Sequence, residues 1–167
     1  MGADAEHPET DYGWIEPGVV VSNATVGPLS RVSRFWEKPP LHQARALLRR
    51  GCLWNTFVTV GRATTFIEML CSQVPEAVLA ISRAMADNML NAAYASLDTV
   101  DFSSDVLANL PHRLLVLRDR TSGWADLGSP TRVLDTLSRN GIHPGWADEG
   151  TCVFDHQEAQ KQTGLRD

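Results

Sequence analysis

No stretch of this chain approaches the roughly 18 consecutive apolar residues that mark a membrane-spanning helix. Cysteine is scarce: Cys52, Cys71 and Cys152 are an odd set without C-x-x-C spacing. That argues against a disulfide framework and for reduced thiols in a cytoplasmic setting. The 12 glycines are scattered, and no two are separated by a single residue. G-x-G-x-x-G is thereby excluded, and neither a P-loop nor a G-x-S-x-G nucleophile turn is present. The five histidines lack zincin spacing; Cys152 and His156 are two ligands where a structural zinc takes four. Lysine is almost missing: of 15 basic residues only Lys38 and Lys161 are lysine. The opening Met1-Gly2-Ala3-Asp4-Ala5-Glu6 has no apolar centre, so no signal peptide is expected. Glu6 stands where a myristoylation motif needs Ser or Thr.

What is there describes an ordinary folded chain. Its 167 residues are 43% apolar and 21% charged, enough for one domain, or part of a larger one, with a core of its own. The net charge of −5 disfavours a generic nucleic-acid or anionic-membrane binder, which needs a basic face. No internal repeat is evident.

The pattern predicts alternating strands and helices, hence a mixed α/β class. Residues 1–11 are polar and are expected to hold no element. A short strand is read over 12–16, stopped by Pro17-Gly18, with a second β piece at 19–21 and a turn at Gly27-Pro28. A strand over 29–38 ends at Pro39-Pro40, which can open a helix. Leu41, Ala44, Leu47 and Leu48 give that helix a face, and Gly51 closes it. A strand follows over 53–60. Ala63, Phe66, Ile67, Leu70, Cys71 and Val74 form a helical stripe that ends before Pro75. The next helix carries Val78, Ile81, Met85 and Met89 on one face. Ser103 is expected to cap a short helix through Leu110. A buried strand is read over 113–118, and a helix from Ser129-Pro130 to Gly141. The segment 146–167 reads as a polar tail.

Four tryptophans neighbour residues with site chemistry: Gly13-Trp14, Trp36-Glu37, Trp54-Asn55 and Trp124-x-Asp126. Aromatic walls with a few placed polar groups make a ligand pocket, whereas the plainer reading is core tryptophans near strand ends. Lys38 falls at a predicted strand end, where α/β sheets carry ligand contacts, and offers a compact positive charge suited to phosphate. Glu37 accepts hydrogen bonds from hydroxyls; the alternative is a surface ion pair of little worth. Asp126, followed by Gly128, suits a hard cation at a loop, or is a turn aspartate or helix cap.

Taken in order, four segments resemble the C-terminal half of a sugar-nucleotide pyrophosphorylase of the nucleotidyltransferase family, closest to its mannose-1-phosphate guanylyltransferase branch. They are Pro8-Glu9-Thr10-Asp11-Tyr12-Gly13-Trp14-Ile15-Glu16-Pro17-Gly18, Val32-Ser33-Arg34-Phe35-Trp36-Glu37-Lys38-Pro39, Gly51-Cys52-Leu53-Trp54-Asn55-Thr56-Phe57-Val58, and Gly123-Trp124-Ala125-Asp126-Leu127-Gly128-Ser129-Pro130. The likeness covers residues 8–145, a partial nucleotidyltransferase domain. It implies the C-terminal portion of a Rossmann-like domain with a mixed sheet, its N-terminal nucleotide-binding strands absent.

The resemblance implies a reaction in which a sugar 1-phosphate oxygen attacks the α-phosphorus of a nucleoside triphosphate and pyrophosphate leaves. GTP and mannose 1-phosphate are the implied substrates, GDP-mannose the product and Mg2+ the cofactor. Gly13 is implied to let the sugar approach the backbone, Glu37 to bind its hydroxyls, Lys38 to hold its phosphate and Asn55 to line its site. Asp126 is implied to be one of two aspartates on magnesium. The family's Gly-rich triphosphate loop and its earlier metal aspartate have no counterpart in this sequence, so the chain by itself is expected to be inactive. A long unpaired sheet edge and uncovered apolar helix faces near 41–50 and 62–74 are expected, with association to a complementing chain or to further copies. The alternative is a non-catalytic sugar-phosphate-binding or regulatory module that pairs with a full-length relative. Nucleic acid and membrane are not expected partners.

Overall fold

The computed structural model describes residues 1–24, 27–120 and 122–146. They fall into two compact units, Met1–Ser122 and Gly123–Asp167. The first unit is a small mixed sheet with helices. Its strands are β1 (Gly2–Asp4), β2 (Trp14–Ala24), β3 (Gly27–Trp36), β4 (Leu53–Asn55) and β5 (Leu115–Asp119). They are hydrogen-bonded in the closed order β1-β4-β2-β3-β5. Only the β1–β5 pairing is parallel.

Each of the five strands has a partner on both sides over part of its length, but β2 pairs with β4 only at Trp14 and Ile15, so β2 from Glu16 on has one edge without a strand partner among the described residues. That closure corrects one expectation: residues 1–11 do contain a strand. The reason lies at Gly2. A Cβ there would come within 2.9 Å of Leu53 Cβ and 3.0 Å of Val116 Cγ2, so only a bare backbone slips between β4 and β5. Asp4 then meets the Arg118 guanidinium at 2.5 Å. The apolar helix faces are uncovered in part: Leu41 and Ile67 are exposed.

β2 does not stop at Pro17-Gly18. It runs on through register shifts between Glu16 and Pro17 and between Pro17 and Val20. A proline removes a ladder donor, and a bulge is where a strand tolerates that loss. Gly27-Pro28 opens β3 instead of forming the turn, with Gly27 paired to Ala24. The expected strand over 53–60 shrinks to β4, because Phe57 takes φ 61°, which ends extended pairing.

Helix α1 (Leu41–Arg49) follows Pro39-Pro40, buries Ala44 and Leu47, and is closed by Gly51 at φ 71°. Helices α2 (Ala63–Gln73) and α3 (Pro75–Ala86) are separated by Val74, with proline at the first position of α3. Their buried faces match the expected ones in part: Leu70 and Val74 pack against the core, and Phe66, Val78 and Ile81 are half-buried. Met69 is buried while Ile67 and Cys71 are exposed, and Ala84 is buried while Met85 and Met89 are exposed. Helix α4 (Leu90–Ser96) was not expected. A single π-helical turn spans Phe102–Leu107. Its cap is Asp101, whose carboxylate accepts from the Ser103 and Ser104 amides; Ser103, expected to cap, is buried instead. The core joins Ile15, Val32, Phe35, Leu53 and Val116 from the strands to Met69, Val106, Leu107 and Leu110.

In the second unit α5 (Pro130–Arg139) starts as expected: the Ser129 hydroxyl accepts from the Arg132 amide, and Gly141 at φ 69° follows the end. The tail from Asp148, with Cys152 and His156, lies outside the described residues. Among the described residues no helix is long and apolar enough to cross a membrane.

Candidate functional site

Strand register assembles the site. Trp14 at the start of β2 pairs with Trp36 at the end of β3 and with Trp54 in β4, both antiparallel. One step beyond each lie Gly13, Glu37 and Asn55. Antiparallel pairing therefore brings three residues far apart in sequence to one end of the sheet. Two further bonds pin them: the Asn55 amide donates to Gly13 O at 2.7 Å, and the Lys38 amide to Tyr12 O at 3.2 Å.

Gly13 is buried, and its missing side chain is what makes the packing work. A Cβ would lie 2.7 Å from Glu37 Oε2, 3.1 Å from Asn55 Cβ and 3.2 Å from Phe35 Cζ. What approaches the Gly13 backbone here is the Glu37 carboxylate. Glu37 Oε2 is buried with no hydrogen-bond partner among the described residues. Burial, aided by the nearby Asp101 charge, pushes the Glu37 carboxyl above the usual carboxylate range. Lys38 and a Ser103 hydrogen bond pull the other way.

Lys38 holds φ 45°, a left-handed conformation rare outside glycine. It also precedes Pro39, which favours extended backbone in the residue before it. Such strain persists where the surroundings over-determine it, often at ligand sites. The Lys38 residue is exposed. Asn55 is half-buried, and its Oδ1 accepts from the Phe57 amide at 3.1 Å, which holds the loop after β4 in its turned conformation.

The tryptophans are mostly structural. Trp14 is fully buried and donates from Nε1 to Glu9 O at 2.8 Å. Trp54 is buried in edge-to-face contact with Trp14, Tyr12 and His7. Trp36 is half-buried, with the Arg34 and Arg50 guanidiniums 5.6 and 5.9 Å from its ring centre.

Asp126 belongs to the second unit. Its Oδ2 accepts from Arg132 Nη1 at 2.6 Å, and a Cβ on Gly128 would crowd that same oxygen. Magnesium takes about six oxygen ligands in near-octahedral geometry. One or two carboxylates commonly suffice, with waters and substrate phosphates completing the shell; Asp126 supplies one carboxylate, with one oxygen in that ion pair, and among the described residues no group of three or more His, Cys, Asp or Glu could hold a metal.

Two contributors escaped the sequence reading, Asp101 and Ser103. The Asp101 carboxyl is held below its ordinary value, first by the Ser104 amide and then by the Ser103 amide, with Lys38 adding to the effect. Their spacing reads as a helix cap, and nothing local to them signals that the chain returns to Glu37. A cleft of about 610 Å3 between the α2–α3 junction and the end of α4 shares no residue with this cluster. Its walls bring Glu76 and Asp98 but no cationic group.

The fold is an α/β domain that gathers Gly13, Glu37, Lys38 and Asn55 at the ends of three sheet strands. The chain belongs to the nucleotidyl transferase family, whose model matches residues 1–140. It is similar to the xanthan biosynthesis protein XanB of Xanthomonas campestris, with 30% identity over 84% of this chain and 30% of that protein. It is likewise similar to the mannose-1-phosphate guanylyltransferase ManC of Salmonella typhimurium, with 30% identity over 77% of this chain and 28% of that one. The chain thus spans about 30% of the length of these curated relatives. A crystal structure named mannose-1-phosphate geranyltransferase, from Thermus thermophilus, superposes with a TM-score of 0.61 at 28% identity, over 71% of this chain and 34% of that one. A mannose-6-phosphate isomerase from Helicobacter pylori reaches the same TM-score at 20% identity, over 75% of this chain and 50% of that one, a likeness of fold alone.

Proposed function

We propose that this chain supplies the sugar-1-phosphate part of a nucleotidyltransferase site, with mannose 1-phosphate as the sugar and GTP as the nucleotide. The observation that carries the reading is the convergence of Gly13, Glu37, Lys38 and Asn55 at one sheet end, with a buried Glu37 oxygen lacking a donor. A buried carboxylate oxygen without a partner is costly. A polyhydroxylated ligand supplies the donors it lacks, and the Lys38 ammonium supplies charge for a phosphate. The name of the relative ManC, a mannose-1-phosphate guanylyltransferase, supports the sugar and the nucleotide.

In the proposed reaction the sugar phosphate oxygen forms a bond to the α-phosphorus of the triphosphate, and the bond to pyrophosphate breaks. This chain's residues bind and orient the nucleophile. Glu37 and Asn55 fix the sugar, and Lys38 partly neutralises the phosphate and so eases its approach to a second anion. Magnesium supplies further charge neutralisation in such chemistry. Among the described residues no cluster of three or more ligands is assembled for it, and no step here is assigned to it.

Calorimetric titration with mannose 1-phosphate tests the reading. Lys38→Ala is expected to weaken binding about tenfold or more, as loss of a charged hydrogen bond does. Unchanged affinity in Lys38→Ala, at a confirmed native fold, removes the reading's central residue.

A further inference from the structure

The segment between β1 and β2, residues 5–13, holds neither strand nor helix, yet one residue ties it together. Glu9 uses its amide, its carbonyl and its carboxylate at once. The amide donates to His7 O at 2.9 Å, and the carbonyl accepts from Trp14 Nε1 at 2.8 Å. Carboxylate Oε1 accepts from the Thr10 amide at 2.8 Å and the Asp11 amide at 3.1 Å, while Oε2 lies 3.5 Å from His7 Nε2. The Glu9 side chain is only 17% exposed. Hydrogen bonds to an ionised acceptor are the stronger kind, and partial burial strengthens them further. The rings of His7 and Tyr12 meet Trp54 edge to face, with centroids 4.7 and 5.2 Å away, so the loop is seated on β4 at both ends.

What the loop delivers is its last two carbonyls. Tyr12 O accepts from the Lys38 amide at 3.2 Å, and Gly13 O accepts from the Asn55 amide at 2.7 Å. Successive carbonyls of an extended chain point to opposite sides. One dipeptide therefore grips the chain just past β3 on one flank and β4 on the other. The first of these bonds also restrains Lys38 at φ 45°, in front of Pro39. Resting on the sugar-1-phosphate reading, we infer that Glu9 is a positioning residue for that site. It acts through the backbone and is not a catalytic residue. By holding the Thr10 and Asp11 amides and the Trp14 indole, it fixes the course of the chain into Tyr12 and Gly13. Those two carbonyls then set where Lys38 offers charge to a phosphate and where Asn55 lines the sugar. A loosened loop makes the ligand order these residues on binding, and that ordering costs affinity.

The test uses the full chain, with Glu9→Ala and Glu9→Gln as variants. Glutamine keeps a side-chain oxygen for the two amides and removes the charge; alanine removes both. Calorimetry follows mannose 1-phosphate. Amide hydrogen exchange in the nitrogen-15-labelled chain follows Lys38 and Asn55, with the β5 amides as the reference. Glu9→Ala is expected to weaken mannose 1-phosphate about five- to tenfold, the cost of ordering one or two side chains on binding. It is also expected to speed exchange at Lys38 and Asn55 and to leave β5 unchanged. Glu9→Gln is expected to restore most of both. A Glu9→Ala chain that binds like the parent overturns the inference, as do Lys38 and Asn55 amides that exchange as in the parent. Equal loss of protection in β5 overturns it too, because that is a general loosening, and so does a Glu9→Gln chain no better than Glu9→Ala. Absence of binding in the parent overturns the sugar-1-phosphate reading instead, and the exchange rates still decide the positioning role. Should Glu9→Ala fail to fold, Glu9→Met, which keeps the length of the side chain without its oxygens, takes its place.

Discussion

Glu37 is a residue whose burial works against the fold. Its carboxyl is raised by desolvation first and by the Asp101 charge second. A group whose folded-state value lies above its unfolded value favours the fold while protonated. That contribution is fully present below the ordinary carboxylate range and is lost as pH rises through the raised value. The ionised form is thus the less favourable one at neutral pH. Glu37→Gln is expected to melt higher than the parent at pH 7 and to match it near the acid end of its stable range, while losing sugar-phosphate binding. Thermal melts across pH check this, and a variant that melts lower at pH 7 contradicts it. Gly13 explains part of the tension, since the room its missing Cβ leaves is taken up by Glu37 Oε2. The strain at Lys38, left-handed and followed by proline, belongs to the same corner. Residue types alone pointed to Glu37 and Lys38, because a carboxylate and a scarce lysine at a strand end have few plain explanations. The backbone strain of Lys38 and the burial of Glu37 Oε2 were not legible, because both depend on strands that come from elsewhere in the chain.

Among the elements, the short β4 and the loop after it show how one residue limits a strand. Phe57 is 66% exposed and sits at φ 61°. A non-glycine residue in this region costs about 1–2 kcal/mol, and an exposed ring recovers little of that by burial. Phe57→Gly is expected to stabilise the chain by about 1 kcal/mol or less, the glycine's own entropy loss offsetting part of the gain. Denaturant melts measure it; a clear loss of stability would show that the ring packs in a way its exposure does not suggest. Helices were the more legible elements. Pro40, Pro75 and Ser129-Pro130 marked starts, and Gly51 and Gly141 marked ends, since capping is local chemistry. Strands were less legible because they exist only with partners. β1 needed the gap between β4 and β5, and β2 passed Pro17 only because a bulge absorbs the lost donor. The buried faces of α2 and α3 matched the expected ones only in part, since apolar stripes were wide enough to allow more than one choice.

At the scale of the molecule, the family is carried by a model match over residues 1–140, and the chain spans about 30% of its curated relatives. The five described strands close in order, yet β2 beyond Ile15 has no second strand partner among the described residues. Large apolar side chains remain exposed, Val19 to Val21 on β2 and Phe57 to Val60 after β4 among them. Gly13, Glu37, Lys38 and Asn55 gather in the first unit, and Asp126 lies in the second, paired with Arg132. The order of the four motifs along the chain made the family legible in the sequence. The effect of the Asp101 charge on Glu37 was not, because only the folded chain brings the two near each other.

The most direct test of the central claim is a map of backbone amide shifts in the nitrogen-15-labelled chain as mannose 1-phosphate is added. The account predicts saturable shifts centred on Gly13, Glu37, Lys38 and Asn55, and their loss in Lys38→Ala. Saturable shifts centred elsewhere, or none at millimolar sugar phosphate, would contradict it.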